Sequence, residues 1–461
     1  MHSLNQRSIR STPPADWPQL RQSIAACLLG TFALRMAAGI MGSMLQLYFD
    51  WIDSHVAPIS FGTRSIIIGV FFLPELVGSP VLGAWSDKYG RKLFILLGPL
   101  AGALAVQITA FTVFLPLLAV TRFLEGLSTA SAIPATLGYL SEVTAHDDHL
   151  RGRVIGIFEI ATLGGTIAGI LLGGPMFDAF LNHAFTLNSI FYLLSLAIFF
   201  FGMKTHARRA EQSALNEARS IAREMTRFGR IVRQAFAPMA QAFTSTRILS
   251  FVPAWLAINM VLGVWLNSVV GLLINKTQSF PGQLLFGLLR ESLHGGTQIS
   301  AGAGVLLGIF GLGVFLWSLV LGRFRRTSIM FASSVGLFAL VAILFLVNHA
   351  DTLDNPIIPV YLFVAALALM VVSGFTPAAL TYLADLTEHA PNDRGAIMGL
   401  YSVFFGLGQF IGQLLGGQFG DWQGVDGVLI LTMLLGVVSV ITLLRLHGVE
   451  PARAPAVMAT E

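Results

Sequence analysis

The chain has 461 residues, 55% of them hydrophobic and 11% charged, with a formal net charge of +4. Soluble domains carry about 25% charged residues, so this composition excludes a water-soluble globule, and repeated apolar runs of roughly 20 residues require lipid as their solvent. A single cysteine, Cys27, excludes an intramolecular disulfide.

The N-terminus is polar, with Arg7, Arg10 and Arg21, and leads into an apolar segment longer than a signal-peptide core, which reads as an uncleaved first helix. Twelve spans fit, at about 24–49, 65–85, 93–112, 115–140, 153–176 and 188–203, then 250–274, 301–322, 328–347, 357–384, 396–419 and 427–446. The expected organisation is a six-helix bundle with its tail over 1–203, a linker over 204–249, a second six-helix bundle over 250–446 and a tail over 447–461. With the N-terminus inside the cell, 23 of the 28 Lys and Arg fall on the inner side. Arg64, Lys276 and Arg290 then fall outside, and Arg35 and Arg122 lie within spans. That bias places both termini in the cytoplasm and the protein, multi-pass, in the cytoplasmic membrane.

In the linker, Ile221, Met225, Phe228, Val232 and Phe236 recur at helical spacing, with Arg219, Arg223, Arg227 and Arg230 on another face. A basic amphipathic helix on the inner leaflet fits this pattern, and so does a solvated linker that obeys the charge rule. The longest outer loop is 275–300, where Pro281-Gly282 precedes a short interfacial helix expected over Leu284–His294. Asn275-Lys276-Thr277 matches a glycosylation triplet, a weak signal so close to a span.

The two halves repeat one another. Pro134, Tyr139, Glu142, His146, Arg151 and Gly152 recur as Pro377, Tyr382, Asp385, His389, Arg394 and Gly395, at a constant offset of 243 residues. The register continues through Gly165, Gly169, Gly173-Gly174 and Asp178, which meet Gly408, Gly412, Gly416-Gly417 and Asp421. A shorter match pairs Gly69, Ser79 and Gly83 with Gly308, Ser318 and Gly322. Paired Pro, acid, Arg-Gly and glycine positions point to a duplicated bundle, the sequence sign of a transporter built from two halves.

Between the second and third spans stands Gly83-Ala-Trp-Ser-Asp87-Lys88-Tyr-Gly90-Arg91-Lys92. It closely resembles the G-x-x-x-D-[RK]-x-G-[RK]-[RK] signature of the major facilitator superfamily, in the same loop of the twelve. The resemblance implies an all-α integral membrane fold of twelve helices in two pseudo-repeat bundles, and transport by alternating access. The glycines permit a tight turn and close helix approach. Asp87 can sit against a helix N-terminus of the other half, while Arg91 can bind Glu142 at the end of the fourth span. The second half keeps Asp385 and Arg394, but its loop, Gly322-Arg323-Phe324-Arg325-Arg326, has no acid. The clamp is therefore expected to be asymmetric. Leu118-Ala-Val-Thr-Arg122-Phe-Leu-Glu125-Gly126 resembles the family's fourth-span pattern. Gly165-Thr-Ile-Ala-Gly169-Ile-Leu-Leu-Gly173-Gly174 nearly matches its antiporter pattern G-x-x-x-G-P-x-x-G-G, with Ile170 where the proline would stand. That departure weighs against an antiporter.

Five charged residues fall within the predicted spans away from the span ends, where Arg153 and Arg445 lie: Arg35, Glu75, Arg122, Glu125 and Glu159. Each costs at least a few kcal/mol at membrane depth and is a functional candidate by default. Arg35, Gly39, Gly42 and Gln46 share a stripe, and the glycines leave room for a ligand. Arg35 and Arg122 are read as cationic recognition, and Gln46, Asn259, Asn267, Gln409 and Gln413 as neutral hydrogen-bonding groups of the same cavity. For proton coupling Glu75 comes first, because it follows Pro74 near mid-span; Glu159 comes second and Glu125, one turn from Arg122, third. Arg122–Glu125 and Arg35–Glu75 read equally as buried structural ion pairs, and the choice stays open at this point.

All ten histidines lie in loops or at span ends, so no metal or haem site is expected, and no nucleotide-binding loop is present. The expectation is a monomeric secondary active transporter for a small molecule, coupled to protons, with the lipid bilayer as its solvent and no enzyme activity, cofactor or nucleic-acid partner. A facilitator, a proton-antiport exporter of amphiphilic compounds and a non-transporting sensor or scaffold are the alternatives.

Overall fold

The computed structural model describes residues 17–144, 147–203, 246–274, 280–289, 292, 294–320, 323–388 and 394–447. Among these, every regular element is an α-helix. The basic amphipathic stretch of the linker and the Asn275 triplet lie outside the described residues.

The first half contains α1 (Trp17–His55), α2 (Phe61–Tyr89), α3 (Arg91–Ala110), α4 (Leu115–Val143), α5 (Asp148–Phe180) and α6 (His183–Gly202). The second contains α7 (Thr246–Ile274), α8 (Gly295–Val320), α9 (Arg326–Asn348) and α10, made of Ile358–Val372 and Phe375–Glu388. The continuous run Arg394–His447 holds two spans, α11 and α12, parted where Gln423 and Gly424 leave helical geometry. Gly424 has φ of 58°, a conformation with little steric cost only for glycine. Gln283 holds the bend by accepting from Val425 N (2.9 Å) and donating to Gln423 O (2.9 Å). All twelve expected spans are present.

Prolines set the breaks. In α2 the helix lapses between Gly69 and Phe72, one turn before Glu75. Pro74 has no N–H for the Val70 carbonyl, which accepts from Leu73 N instead (3.2 Å). In α10 the break precedes Pro377 in the same way, at Ser373 and Gly374.

Glycines set the packing inside each half. Side chains at Gly165, Gly169 and Gly173 of α5 would collide with the carbonyls of Phe32, Met36 and Ile40 on α1. In the other half, side chains at Gly408 and Gly412 of α11 would collide with Asn259 and the Met260 carbonyl of α7. Close backbone approach is how helices associate where lipid removes the hydrophobic drive. Polar contacts between helices add to it: Asn188 Nδ2 to Ala37 O (3.0 Å), Ser195 Oγ to Gly30 O (2.8 Å) and Trp265 Nε1 to Thr432 Oγ1 (2.9 Å). The halves meet where α5 packs on α8 and α11 on α2, with α1 also touching α7.

The 284–294 helix does not form among the described residues. Leu284 N and Leu285 N turn to Asn348, while Gly287 N and Leu289 N bond Leu272 O (2.8 Å) and Leu273 O (2.9 Å). These donors satisfy carbonyls at the end of α7 that a helix leaves orphaned, so they are not available to a helix of their own. Accordingly α8 begins at Gly295, earlier than the span at 301.

Candidate functional site: a charged interior and two ends

Halfway along the first bundle, charges gather between α1, α2, α4 and α6. Arg35 is half-buried on α1, and it is the cation acting on the Glu75 carboxylate of α2. Its Nε is buried with no hydrogen-bond partner among the described residues. Arg122 and Glu125 of α4 are paired with each other and buried. The Arg122 guanidinium also lies over the Phe71 ring, 4.8 Å from its centroid, at the break in α2. Tyr192 of α6 is within electrostatic reach of Arg35, Arg122 and Glu125. The sequence stripe on α1 divides: Gly39 packs on the α5 backbone at Thr166 and Gly169, whereas Gly42 faces open space. The room expected beside Arg35 is therefore at Gly42 alone.

The sequence-predicted amides lie on several helices. Gln413 of α11 is fully buried, lies beside Gly69 of α2, and has neither amide atom hydrogen-bonded. Gln409, one turn away, is buried too. Asn259 is committed to its own helix, donating to Trp255 O (2.9 Å). Gln46 is buried on α1 beside Gly271 of α7. The Asn267 side chain lies outside the described residues. Glu159 is exposed on α5, one helical turn from Thr162.

The motif between α2 and α3 is built as its residue types suggest. Gly90 ends the second arm of α2 at φ 98°, a conformation that L side chains rarely adopt. Arg91 then bonds Asp87 (2.6 Å) and, through Nε, Glu142 at the end of α4 (3.0 Å). Gly138 of α4 makes room for its guanidinium, and Gly83 passes against Pro134. Lys92 Nζ donates to Phe200 O (3.1 Å) and Met203 O (2.6 Å), closing the carbonyl end of α6. Lys88 lies over the Tyr89 ring. Asp87 is 59% exposed, so its pairing here is to Arg91 within one half and on a wet surface. The side chains of Asp385 and Arg394 lie outside the described residues.

At the opposite end, sequence reasoning missed a buried charge pair. Arg64, assigned to an outer loop, lies in the first turn of α2 and is 2% exposed, 3.0 Å from Asp53 of α1. Its Nε donates to Ile59 O (3.2 Å), and Asp53 Oδ1 accepts from Ile59 N (2.6 Å). The available signal was local: Asp50 and Asp53 share a helix face a short loop before Arg64.

The architecture is that of a two-bundle, multi-pass membrane protein with polar groups gathered between its halves, the plan of a transporter. The chain matches the Major Facilitator Superfamily over residues 27–289 and 278–459, and it belongs to that family. The uncharacterized MFS-type transporter YuxJ of Bacillus subtilis (strain 168) is 24% identical over 416 residues, covering 88% of this chain and 94% of the relative. Multidrug resistance protein 1 of the same organism is 24% identical over 360 residues, covering 77% and 80%. The nucleoside transporter NupG has a structure with a TM-score of 0.64 at 13% identity, covering 92% of this chain and 98% of that one, a likeness of fold alone.

Proposed function

We propose that this protein is a secondary active transporter that moves a small amphiphilic molecule across the cytoplasmic membrane by alternating access coupled to protons, with Glu75 as the coupling carboxylate. One observation carries this reading: Arg35 of α1 and Glu75 of α2, of opposite charge, lie within electrostatic reach of each other inside the first half, beside a proline break in α2. A substrate bearing an anionic or strongly accepting group can take the Arg35 guanidinium, whose Nε has no partner. Glu75, deprived of its cation in a poorly solvated interior, then takes up a proton. Gln413, with both amide atoms free to bond, supplies the neutral side of the cavity. Arg122 is engaged by Glu125 and Phe71, which makes it a support of the α2 break and leaves Arg35 as the recognition cation.

An amphiphilic substrate is favoured by the relatives, among them a multidrug resistance protein and a tetracycline resistance protein of Pasteurella multocida, the latter 27% identical over 209 residues. Ile170 replaces the antiporter proline, yet the glycine ladder around it still backs directly onto α1. Both termini and the linker face the cytoplasm in this reading, the chain acts as a monomer, and the Asp87–Arg91–Glu142 clamp favours the state open to the outside.

The test is flux of amphiphilic dyes and drugs in proteoliposomes, with and without an imposed pH gradient, for wild type and Glu75→Gln. Gradient-driven transport that Glu75→Gln abolishes is the expected result. Transport indifferent to the gradient would make the protein a facilitator, and gradient-driven transport in Glu75→Gln would move the coupling carboxylate elsewhere.

A further inference from the structure

Asp178 and Asp421 occupy matching places in the two halves and have no part in the transport reading above. Asp178 lies in the last turn of α5 and Asp421 at the end of α11, just before the bend at Gln423. A carboxylate near the C-terminus of its own helix is unfavourably placed with respect to that helix's dipole. Each is instead directed at the N-terminus of a helix in the opposite half. Asp178 accepts from Gly296 N (3.1 Å), Thr297 N (2.7 Å) and Thr297 Oγ1 (2.8 Å) at the start of α8. Asp421 accepts from Phe61 N (2.8 Å) and Gly62 N (2.7 Å) at the start of α2. These are the donors that a helix start leaves without an internal partner.

The helices that carry the carboxylates are matched as well. Gly174, four residues before Asp178, abuts the Gly296 carbonyl, and its N–H bonds Ser300 Oγ (3.1 Å). Gly417, four residues before Asp421, abuts Ser65 and the Phe61 carbonyl. Gly174 and Asp178 map onto Gly417 and Asp421 by the offset of the repeat, and Gly296, Thr297 and Ser300 map onto Phe61, Gly62 and Ser65 at a shared offset of 235 residues. One device has been built twice, each copy across the boundary between the halves.

We infer that Asp178 and Asp421 form a duplicated latch: they are positioning residues of the transport cycle that hold the halves together at the end opposite the Asp87 motif. The inference rests on the alternating-access reading. Both carboxylates are partly exposed, so water replaces the helix N–H groups when the halves part, and the latch is reversible. At the Asp87 end the motif carboxylate is paired within its own half. The latch therefore selects the state closed at its own end.

The test needs neither a substrate nor a known orientation. In a Cys27→Ser background, single cysteines are placed at Leu47, buried against Gly296 beneath the latch, and at Glu159, exposed towards the other end of α5. Purified full-length protein in lipid nanodiscs is labelled with a water-soluble maleimide, with and without Asp178→Asn, Asp421→Asn or both. Each single change should speed labelling at Leu47→Cys roughly tenfold and slow it at Glu159→Cys, with a larger effect for the pair. Reciprocal change is the mark of a latch. Unchanged rates at both reporters, or rates that rise together, would overturn the inference, the second by showing general loosening. Failure of the transport reading would appear separately, as absent flux in proteoliposomes.

Discussion

Arg64→Met isolates a charge pair buried on both sides. The substitution leaves the Asp53 carboxylate 1% exposed, with the Ile59 amide as one remaining donor. At 3.0 Å, two unit charges in an effective dielectric of about 20 attract by about 5 kcal/mol. Desolvation offsets much of that when the pair is intact, but removing one partner typically costs about 3–5 kcal/mol because the other stays buried and charged. Arg64 also loses its bond to Ile59 O and its place 5.4 Å over the Phe61 ring. Asp50 and Asp421 act on the same guanidinium, so its loss leaves three acids around one helix start. We expect Arg64→Met to lower the unfolding temperature in detergent by on the order of 5 °C, read by tryptophan fluorescence at one fixed scan rate. Asp53→Asn combined with Arg64→Met should recover more than half of the loss, since the carboxylate that is 1% exposed is then neutral. Wild-type unfolding in Arg64→Met, or a double variant worse than either single, would refute the pairing argument.

Asp87→Asn removes one arm of Arg91's bidentate setting and should slow transport several-fold while surface expression stays normal; both are read in the same cells. Gly417→Leu places a side chain where a Cβ already meets the Phe61 carbonyl at 2.8 Å, so the cost of about 1–3 kcal/mol falls on the latched state alone and labelling at Leu47→Cys should rise. Combining Asp87→Asn with Asp178→Asn weakens both ends and should restore transport relative to either single change; purely additive loss would argue against opposed ends. Ser213→Cys in intact cells should resist an impermeant maleimide, and external labelling there would invert the topology.

The fold was legible because membrane spans are written in composition and the duplication in paired Pro, Arg-Gly and glycine positions. The family motif was legible for the same reason: Gly83, Asp87, Gly90 and Arg91 are local in sequence, and their partner Glu142 lies at a span end fixed by the repeat. Contacts between distant helices were harder to read. Asp178 and Asp421 were visible as a pair, but nothing in their neighbourhood names α8 and α2 as the helices they touch. Arg64 was misplaced because a hydropathy boundary stops at the first charge, whereas its helix begins earlier and buries that charge against Asp53. Gly39 shows the reverse failure. A small residue on a polar stripe reads as room for a ligand, and whether a neighbouring backbone fills that room is decided by α5, far along the chain.

Five hydrogen bonds to two carboxylates would, at a net of about 1 kcal/mol each, favour the latched state more than a thousandfold. A transporter so biased would hardly cycle. The opposing state must therefore gain a comparable amount at the other end, and the motif loop is the natural place for it. Asp87 sits on the surface, paired among the described residues with Arg91, available for a helix start of the second half when that end closes. The second-half loop offers Arg323, Arg325 and Arg326 but no acid, so the gain there is built once, while the latch is built twice. Two copies of a neutral-donor contact at one end, opposed by one charged clamp with its Arg91–Glu142 anchor at the other, give two states close enough in free energy for a bound substrate or a proton on Glu75 to decide between them.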